Sequence, residues 1–413
     1  MTSLRKNALH LLGTALLAIL AIFLVLHGRS SWAAAQRLSQ DPVPQAIARS
    51  TDYLVRHTGE DGRFDYRLNM DPNVEVSDSY NLLRHAGTIY ALGMAYERQP
   101  DEQVKAAMER AGRYLHEVAI DPVPEEKGLL AVWSRPEITG RDGPPEAKLG
   151  GTGLGLVALL YLEKVHPGFT PMEQLRQMGR FILFMQKENG SFYSRYIPAK
   201  GGRRNKPRSR YYPGEAALGL LLLYQADPDP VWLEAATRAL LYLAEQDTGR
   251  KHVAADHWAL LATEQLFALP EEAVSPSDRE QLMEHAVQIV ERILQDQIEG
   301  PVRPMYMGSF SSTGKVTPTA TRLEGLLAAL NFLPPEATDL RERIQSSVAK
   351  GIHFLLWAQV EVGEYSGAFP RAIARLPETD PDAEKFNPRA REVRIDYVQH
   401  ALSAMIRYAQ MAR

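Results

Sequence analysis

Helical segments of two kinds alternate along this chain, six of each, and this alternation restricts the fold more than any other feature. One set is amphipathic and charged, and its members are Gln45–His57, Glu102–Val118, Pro171–Lys187, Pro230–Glu245, Pro276–Gln295 and Thr338–Gln359. The other set is apolar on nearly all sides, and its members are Ser79–Glu97, Ala147–Glu163, Pro213–Gln225, Asp256–Ala268, Thr321–Leu333 and Asp396–Met411. A helix that is apolar all round belongs inside a protein, whereas an amphipathic helix belongs at its surface.

Each pair of helices forms a repeated unit of about 55 to 65 residues, and a single unit cannot bury its own apolar face. Six units stacked around an axis bury that face completely. We therefore predict an all-α fold, a toroid of six helical hairpins of the (α/α)6 type, over residues 36–413.

The connections from an outer to an inner helix are long, whereas those from an inner to an outer helix are short. The long ones are Gly59–Asp78, Ile120–Glu146, Glu188–Tyr212, Asp247–Ala255, Glu299–Ala320 and Val360–Ile395. Long loops in a compact body are usually functional, and these six would all lie at the amino ends of the inner helices. Three of them open with a glycine turn followed by an aromatic residue, at Asp61–Phe64, Asn189–Phe192 and Ser366–Phe369, which predicts short hairpins at the rim.

The sequence resembles the six-hairpin glycosidase-like superfamily in its number of hairpins, its glycine-aromatic loops and the small-residue-rich pattern of its inner helices. Two examples of that inner-helix pattern are RHAGTIYALGMAY at residues 84–96 and KLGGTGLGLVALLY at residues 148–161. The resemblance covers residues from about 40 to 413. The superfamily includes glycoside hydrolases, unsaturated glucuronyl hydrolases, sugar epimerases and some polysaccharide lyases. The resemblance therefore implies a carbohydrate-active enzyme and leaves the reaction open.

The amino-terminal 35 residues are typical of a targeting segment. Arg5 and Lys6 precede an apolar run, Leu11–Leu26, and the small residues Ala33–Ala35 follow Arg29. This pattern fits either a cleaved signal peptide or a transmembrane anchor. We favour the anchor, because the run is long for a signal and Arg29 separates it from the cleavage site. Either segment would place residues 36–413 in the periplasm or outside the cell, attached to the membrane or secreted.

Composition excludes several kinds of partner and site. The chain has no cysteine, which excludes disulfides, thiolate metal sites and a cysteine nucleophile. Its net charge of −3 gives no general reason to expect nucleic acid as a partner. No H-E-x-x-H motif is present, and we predict neither a metal nor another cofactor.

Polar residues cluster where the inner helices begin, and in a toroid these positions converge on one central cavity. The catalytic candidates are Glu215, Asp256, Glu324, Asp396 and His257, with Glu215 and Asp256 favoured as the pair. Asp256 and Asp396 are equally compatible with a role as helix caps. The candidates for substrate binding are Arg84, His85, Arg210, Tyr211, Tyr212, Trp258, Arg322, Tyr397 and His400. Aromatic faces with arginine and carboxylate groups are suited to binding sugars.

A cationic loop precedes Tyr211, with six cations between Lys200 and Arg210. It predicts an anionic polysaccharide or oligosaccharide as the partner. The first hypothesis for the reaction is hydrolysis of a glycosidic bond by two carboxyl groups. The second is proton abstraction beside a uronate carboxylate, as in a lyase or C5-epimerase. A third hypothesis is a non-catalytic polysaccharide-binding or scaffold protein.

Overall fold

The structure is a computed structural model that describes residues 42–300 and 304–411. The chain divides into two compact units, residues 1–45 and 46–413. The amino-terminal signal or anchor segment and the boundary near residue 36 lie outside the described residues. In the part of the chain that is described, no helix is both long and apolar enough to cross a membrane.

Twelve long helices follow one another in the described residues, and they alternate between an outer and an inner position as predicted. The outer helices are α1 (Pro42–Arg56), α3 (Glu102–Tyr114), α5 (Met172–Met185), α7 (Pro230–Asp247), α9 (Pro276–Gln295) and α11 (Thr338–Ala358). The inner helices are α2 (Leu82–Arg98), α4 (Leu149–Val165), α6 (Tyr212–Ala226), α8 (His257–Phe267), α10 (Val316–Phe332) and α12 (Ile395–Met411).

The inner helices form a closed ring. Each packs against the next along the chain, and α12 packs against α2 to complete the circle. Glycines allow the close approach of neighbours: a Cβ atom added to Gly219 would lie 2.8 Å from the carbonyl oxygen of Gly153 on the adjacent inner helix. The apolar residues of this ring are almost fully buried, which confirms that the uniformly apolar helices form the core.

Short strands lie in the loops at the rim, so the strands are a minor addition to a helical fold. They are β1 (Arg67–Asn69), β2 (Ile120–Pro122), β3 (Leu130–Ser134), β4 (Glu146–Lys148), β5 (Arg195–Ile197), β6 (Gly202–Arg204) and β7 (Glu392–Arg394). Strands β2 to β6 form one antiparallel sheet in sequence order, and β1 pairs with β7 in another. The second sheet joins the first long loop to the last.

A glycine turn with positive φ recurs in four of the rim loops and fixes each loop to an outer helix. A Cβ atom at the turn would lie within 2.4 Å of a helix carbonyl oxygen, for the pairs Gly62 with Arg110, Gly190 with Arg238, Gly308 with Lys350 and Gly367 with Arg49. Only glycine fits such a close approach and such a backbone conformation. The sequence pattern identified three of these turns, and the structure adds the fourth, at Gly308 before Phe310.

Candidate active site

A cavity of about 400 Å³ opens where the inner helices begin. Every one of the six hairpins contributes to its wall, as expected for a toroid whose helices start at one face. Nine of the predicted site residues line it, namely Arg84, Tyr211, Tyr212, Glu215, His257, Trp258, Arg322, Asp396 and His400. Residues that are far apart in sequence therefore meet in one place.

His85, which was expected to bind substrate, is fully buried and does not line this cavity. Its Nε2 donates to the carbonyl oxygen of Ala111 at 2.9 Å, and its Nδ1 accepts from the Tyr80 hydroxyl at 2.8 Å. Burial lowers the pKa of His85 to about 4. The neutral ring, with both nitrogens hydrogen-bonded inside the protein, holds α2 against α3. It has no free nitrogen that could bind a substrate.

Tyr397 and Arg210 also lie away from the central cavity. The buried Tyr397 hydroxyl donates to the Glu392 carboxylate at 2.7 Å, so it supports strand β7. Arg210 is exposed on the cationic loop and lines a second, smaller cavity instead.

Asp256 is the N-cap of α8 and does not line the central cavity. Its Oδ1 accepts from the backbone amides of Trp258 and Ala259 at 3.1 and 3.2 Å. Burial raises the pKa of Asp256 to about 7, although these two hydrogen bonds oppose the rise. The expected catalytic pair of Glu215 and Asp256 is therefore not found in one cavity, because one member is used to cap a helix.

Two histidines that line the central cavity meet a buried glutamate, Glu324, which does not itself line the cavity. Glu324, which is 1% exposed, accepts from Nδ1 of His400 at 2.7 Å, and Nε2 of His257 lies 3.9 Å from the same oxygen. The two imidazole rings are 5.5 Å apart between centroids and stand nearly perpendicular. Both ring nitrogens of His257 lack a hydrogen-bond partner among the described residues.

The environment separates the protonation states of the two histidines. Burial lowers the pKa of His257 well below its usual value, and the nearby charges of His400 and Arg322 lower it further. Burial also acts to lower the pKa of His400, but the Glu324 carboxylate outweighs it and leaves that pKa raised. His257 thus favours the neutral form, and the adjacent His400 binds a proton more tightly than a free imidazole does. Such a pair has a base and an acid in one cavity.

The same three residues are also a possible metal site, since their ligand atoms all lie within 4.8 Å of one another. Ligands about 2.0–2.1 Å from a tetrahedral zinc ion are separated from each other by roughly 3.3 Å. The 2.7 Å between His400 and Glu324 is shorter than that and fits a direct hydrogen bond. The geometry therefore favours an acid–base cluster over a metal centre.

An ion-pair network fixes Arg84 in the same wall. Oδ2 of Asp396 forms an ion pair with Nε of Arg84 at 3.0 Å and accepts a hydrogen bond from Nη2 of Arg394 at 2.9 Å. Although burial opposes ionisation, the two arginines hold the pKa of Asp396 below its usual value. Arg394 carries no role in the sequence prediction, and its position directly before α12 is the signal that would have suggested one.

Arg322 is a cation without an acidic partner among the described residues. Its Nε is buried and makes no hydrogen bond there, and Nη1 donates to the Thr321 hydroxyl at 3.3 Å. A buried guanidinium nitrogen without an acceptor is costly unless a ligand completes its hydrogen bond. It is therefore suited to receive an oxyanion or carboxylate in the cavity.

Glu215 lines the cavity with a buried carboxyl group whose Oε2 has no hydrogen-bond partner in the described chain. Burial, with a smaller contribution from the charge of Asp256, raises the pKa of Glu215 to about 8. The pKa of the neighbouring Tyr212 is raised to about 12, first by burial and then by Glu215. Gly150 provides the space, because a Cβ atom there would lie 1.9 Å from Oε2 of Glu215.

Aromatic and small polar residues complete the wall. The Trp258 ring lies 4.9 Å from the His257 ring between centroids, and the half-exposed Tyr211 lies 5.7 Å from it at the opening. The sequence prediction missed Asn81, Ser209 and Thr317, which also line the cavity. Ser209 and Thr317 lie in the last residues before a predicted inner helix, and Asn81 lies in the first residues of one, so their position near a helix start is the signal that could have identified them.

Neither a protein-family model nor a curated protein matches the sequence. Solved structures do match it. A cellobiose 2-epimerase from Spirochaeta thermophila has 14% identity and a TM-score of 0.59, over 90% of this chain and 98% of its own. An α-1,6-mannanase from a Salegentibacter species has 13% identity and a TM-score of 0.58, over 89% and 99%. An unsaturated glucuronyl hydrolase specific for heparin has 10% identity and a TM-score of 0.58, over 90% and 97%. The chain shares the (α/α)6 toroid fold with these structures, and the low identities carry no conclusion about its reaction.

Proposed function

We propose that this protein is a carbohydrate-active enzyme that moves a proton at a sugar carbon next to a carbonyl or carboxylate group, as an epimerase or isomerase does. The observation that carries the proposal is the cluster of His257, His400 and the buried Glu324, in which both histidines line one cavity and their pKa values are shifted in opposite directions. Pairs of titratable groups with separated pKa values identify an acid and a base.

In this mechanism, the neutral His257 is the base. It has a ring nitrogen without a partner, and it takes the proton from the sugar carbon. The electron pair of the broken C–H bond moves toward the adjacent carbonyl, whose oxygen becomes an oxyanion. Arg322 lies in the same wall with unused donors, and it stabilises that oxyanion.

His400 is the acid. Its Nδ1 is bound to Glu324, which leaves Nε2 to return a proton to the carbon. Because His257 and His400 are two separate groups, one can remove a proton on one side of the carbon while the other delivers a proton on the opposite side. That sequence inverts the carbon, and return to a neighbouring carbon would give an isomer instead. One structural neighbour is named as an epimerase, which agrees with the proposal.

Hydrolysis of a glycosidic bond is the second candidate, and two carboxyl groups in the cavity favour it. Glu215 has a raised pKa that keeps it protonated at neutral pH, and Asp396 has a lowered one that keeps it ionised. This is the combination of an acid and a base that a glycosidase uses. The weakness of this candidate is that Asp396 is already bound by two arginines, Arg84 and Arg394.

Two further parts of the proposal come from charge and sequence. We infer an anionic sugar, of uronate type, because Arg322 and the cationic loop supply positive charge without acidic partners. We also place the enzyme outside the cytoplasm, anchored by its amino-terminal segment or secreted, on the sequence of residues 1–35 alone.

The test follows proton exchange directly. Full-length protein in mild detergent is incubated in D2O with mannose, cellobiose and uronate oligosaccharides, and deuterium incorporation is followed by NMR. We expect incorporation into one of these sugars, and a loss of about 100-fold or more in His257→Gln and in His400→Gln. His166→Gln is the matched control, because His166 also binds a glutamate at 2.7 Å but lies on the outside.

The other outcomes separate the alternatives. New reducing ends without exchange would support hydrolysis, and ultraviolet absorbance from unsaturated uronate would support a lyase. Binding without any product would leave the polysaccharide-binding hypothesis. Full exchange activity in both histidine variants would refute the proposed mechanism.

A further inference from the structure

A second cavity of about 250 Å³ lies directly beside the central one. Ser209 lines both cavities, and its neighbours Arg208 and Arg210 line the second. Asp256 faces this second cavity, whereas the next residue, His257, faces the central one. The two cavities are therefore adjacent, with Ser209 and the start of α8 between them.

Positive charge predominates around the second cavity. Arg208 and Arg210 come from the cationic loop, and neither has a carboxylate partner within the described part of the chain. Arg250 and His252 lie on the loop after α7 and add to the same wall. Guanidinium groups without a partner bind carboxylates and sulfates through paired hydrogen bonds.

The two acidic residues of this cavity do not cancel that charge. Asp247 is bound by Nε2 of His285 at 3.2 Å and lies 4.0 Å from Nη1 of Arg250. Asp256 is bound by two backbone amides, and burial raises its pKa to about 7, so it is partly protonated at neutral pH. The exposed guanidinium groups are thus the charges available to a ligand.

We propose that the second cavity is a subsite for an anionic sugar unit, bearing a carboxylate or a sulfate, that is linked to the reacting unit in the central cavity. This inference rests on the proposed function and deepens it, because it makes the substrate an oligosaccharide or polymer end. Arg208 and Arg210 bind the anionic group, and Ser209 lies at the linkage between the two units. A free monosaccharide would leave this subsite empty.

The test compares a charged with a neutral disaccharide by isothermal titration calorimetry on the full-length protein. The probes are an unsaturated heparin disaccharide, its desulfated form and cellobiose. We expect the double variant Arg208→Gln with Arg210→Gln to bind the charged probe about tenfold more weakly, since both groups are exposed and partly screened. Its affinity for cellobiose should change by less than about twofold. The desulfated probe shows whether sulfate or carboxylate is the group that is bound.

Arg204→Gln is the matched control, because Arg204 belongs to the same cationic loop but lines neither cavity. The inference is wrong if the control weakens charged binding as much as the double variant does, or if the double variant binds that probe like the wild type. It is also wrong if the wild type shows no preference for the charged disaccharide. Selective loss in the double variant, without deuterium exchange in any sugar, would support the subsite and refute the proposed reaction.

Discussion

Replacing Glu324 with glutamine removes the carboxylate that raises the pKa of His400 and leaves the shape of the site almost unchanged. A hydrogen bond to a charged group contributes about 1.5–3 kcal/mol to stability. The pKa of His400 is raised in the folded protein. The bond therefore stabilises the folded state fully below the unfolded pKa of about 6.5, and this contribution disappears as pH rises through the folded pKa.

Thermal unfolding at pH 6 and at pH 9 measures this effect. With an unfolding entropy of about 2.1 cal/mol/K per residue, a loss of about 2 kcal/mol lowers the Tm of this unit by roughly 2–3 °C. We expect that loss in Glu324→Gln at pH 6 and a smaller loss at pH 9, because the contribution of the raised pKa disappears as pH rises.

Glu264→Gln provides the matched control. Glu264 is buried like Glu324, but its partner is Arg407, with Nη1 2.9 Å from Oε2. Because arginine stays charged at both pH values, this variant should lose stability equally at pH 6 and pH 9. If Glu324→Gln also loses the same amount at both pH values, the conclusion that Glu324 raises the pKa of His400 is wrong.

Three other changes test separate parts of the site. Gly150→Ala should destabilise the protein by about 1–3 kcal/mol in urea unfolding, because the added Cβ atom would overlap Glu215. Gly151→Ala is the control and should cost little stability, since the nearest atom to its Cβ would be on Leu83, at 3.5 Å. Equal losses in both variants would contradict the packing argument. Glu215→Gln should gain stability relative to the wild type as pH rises from 4 to 8, by up to a few kcal/mol. The reason is that the wild type, with a folded pKa of about 8, must hold a proton that the unfolded chain releases near 4.5. The measurement is the Tm of both proteins across this pH range. A constant difference in Tm would show that the buried carboxyl group is not protonated. Treatment with EDTA should leave deuterium exchange unchanged, and loss of activity that zinc or manganese restores would identify a metal at His257.

The helices could be predicted from the sequence because the spacing of apolar residues along each helix agrees with the residues that it buries. The first residue of a helix was harder to predict where the preceding loop ends in small polar residues. Helix α10 begins at Val316 and not at the predicted Thr321, since Pro318 lies in the first helical turn, where its missing amide hydrogen is not needed. The turn at Gly308 was not predicted from the sequence, for a different reason. The glycine and Phe310 follow Met307, without the polar residue that opens the other three turns.

The residues of the candidate site could be located in the sequence, but their roles could not. Asp396 and His400 are four residues apart, so a shared helix face was predictable. Asp256 and His257 are adjacent and point about 100° apart on a helix, so only one can face the central cavity, and no local pattern shows which. Glu324 joins histidines from two other hairpins, and such a contact depends on how the ring closes.

Closure of the ring sets the order of events during biosynthesis. The last inner helix completes the circle through contacts such as the Thr88 hydroxyl donating to Oε1 of Gln399 at 3.1 Å, across 311 residues of sequence. A ribosome that has made five hairpins has therefore produced a ring with a gap, whose apolar edges face solvent. His400 arrives with the final helix, so the acid of the proposed reaction is added last. Contacts across such distances form slowly, and the open intermediate is the state most prone to aggregation and most dependent on chaperones.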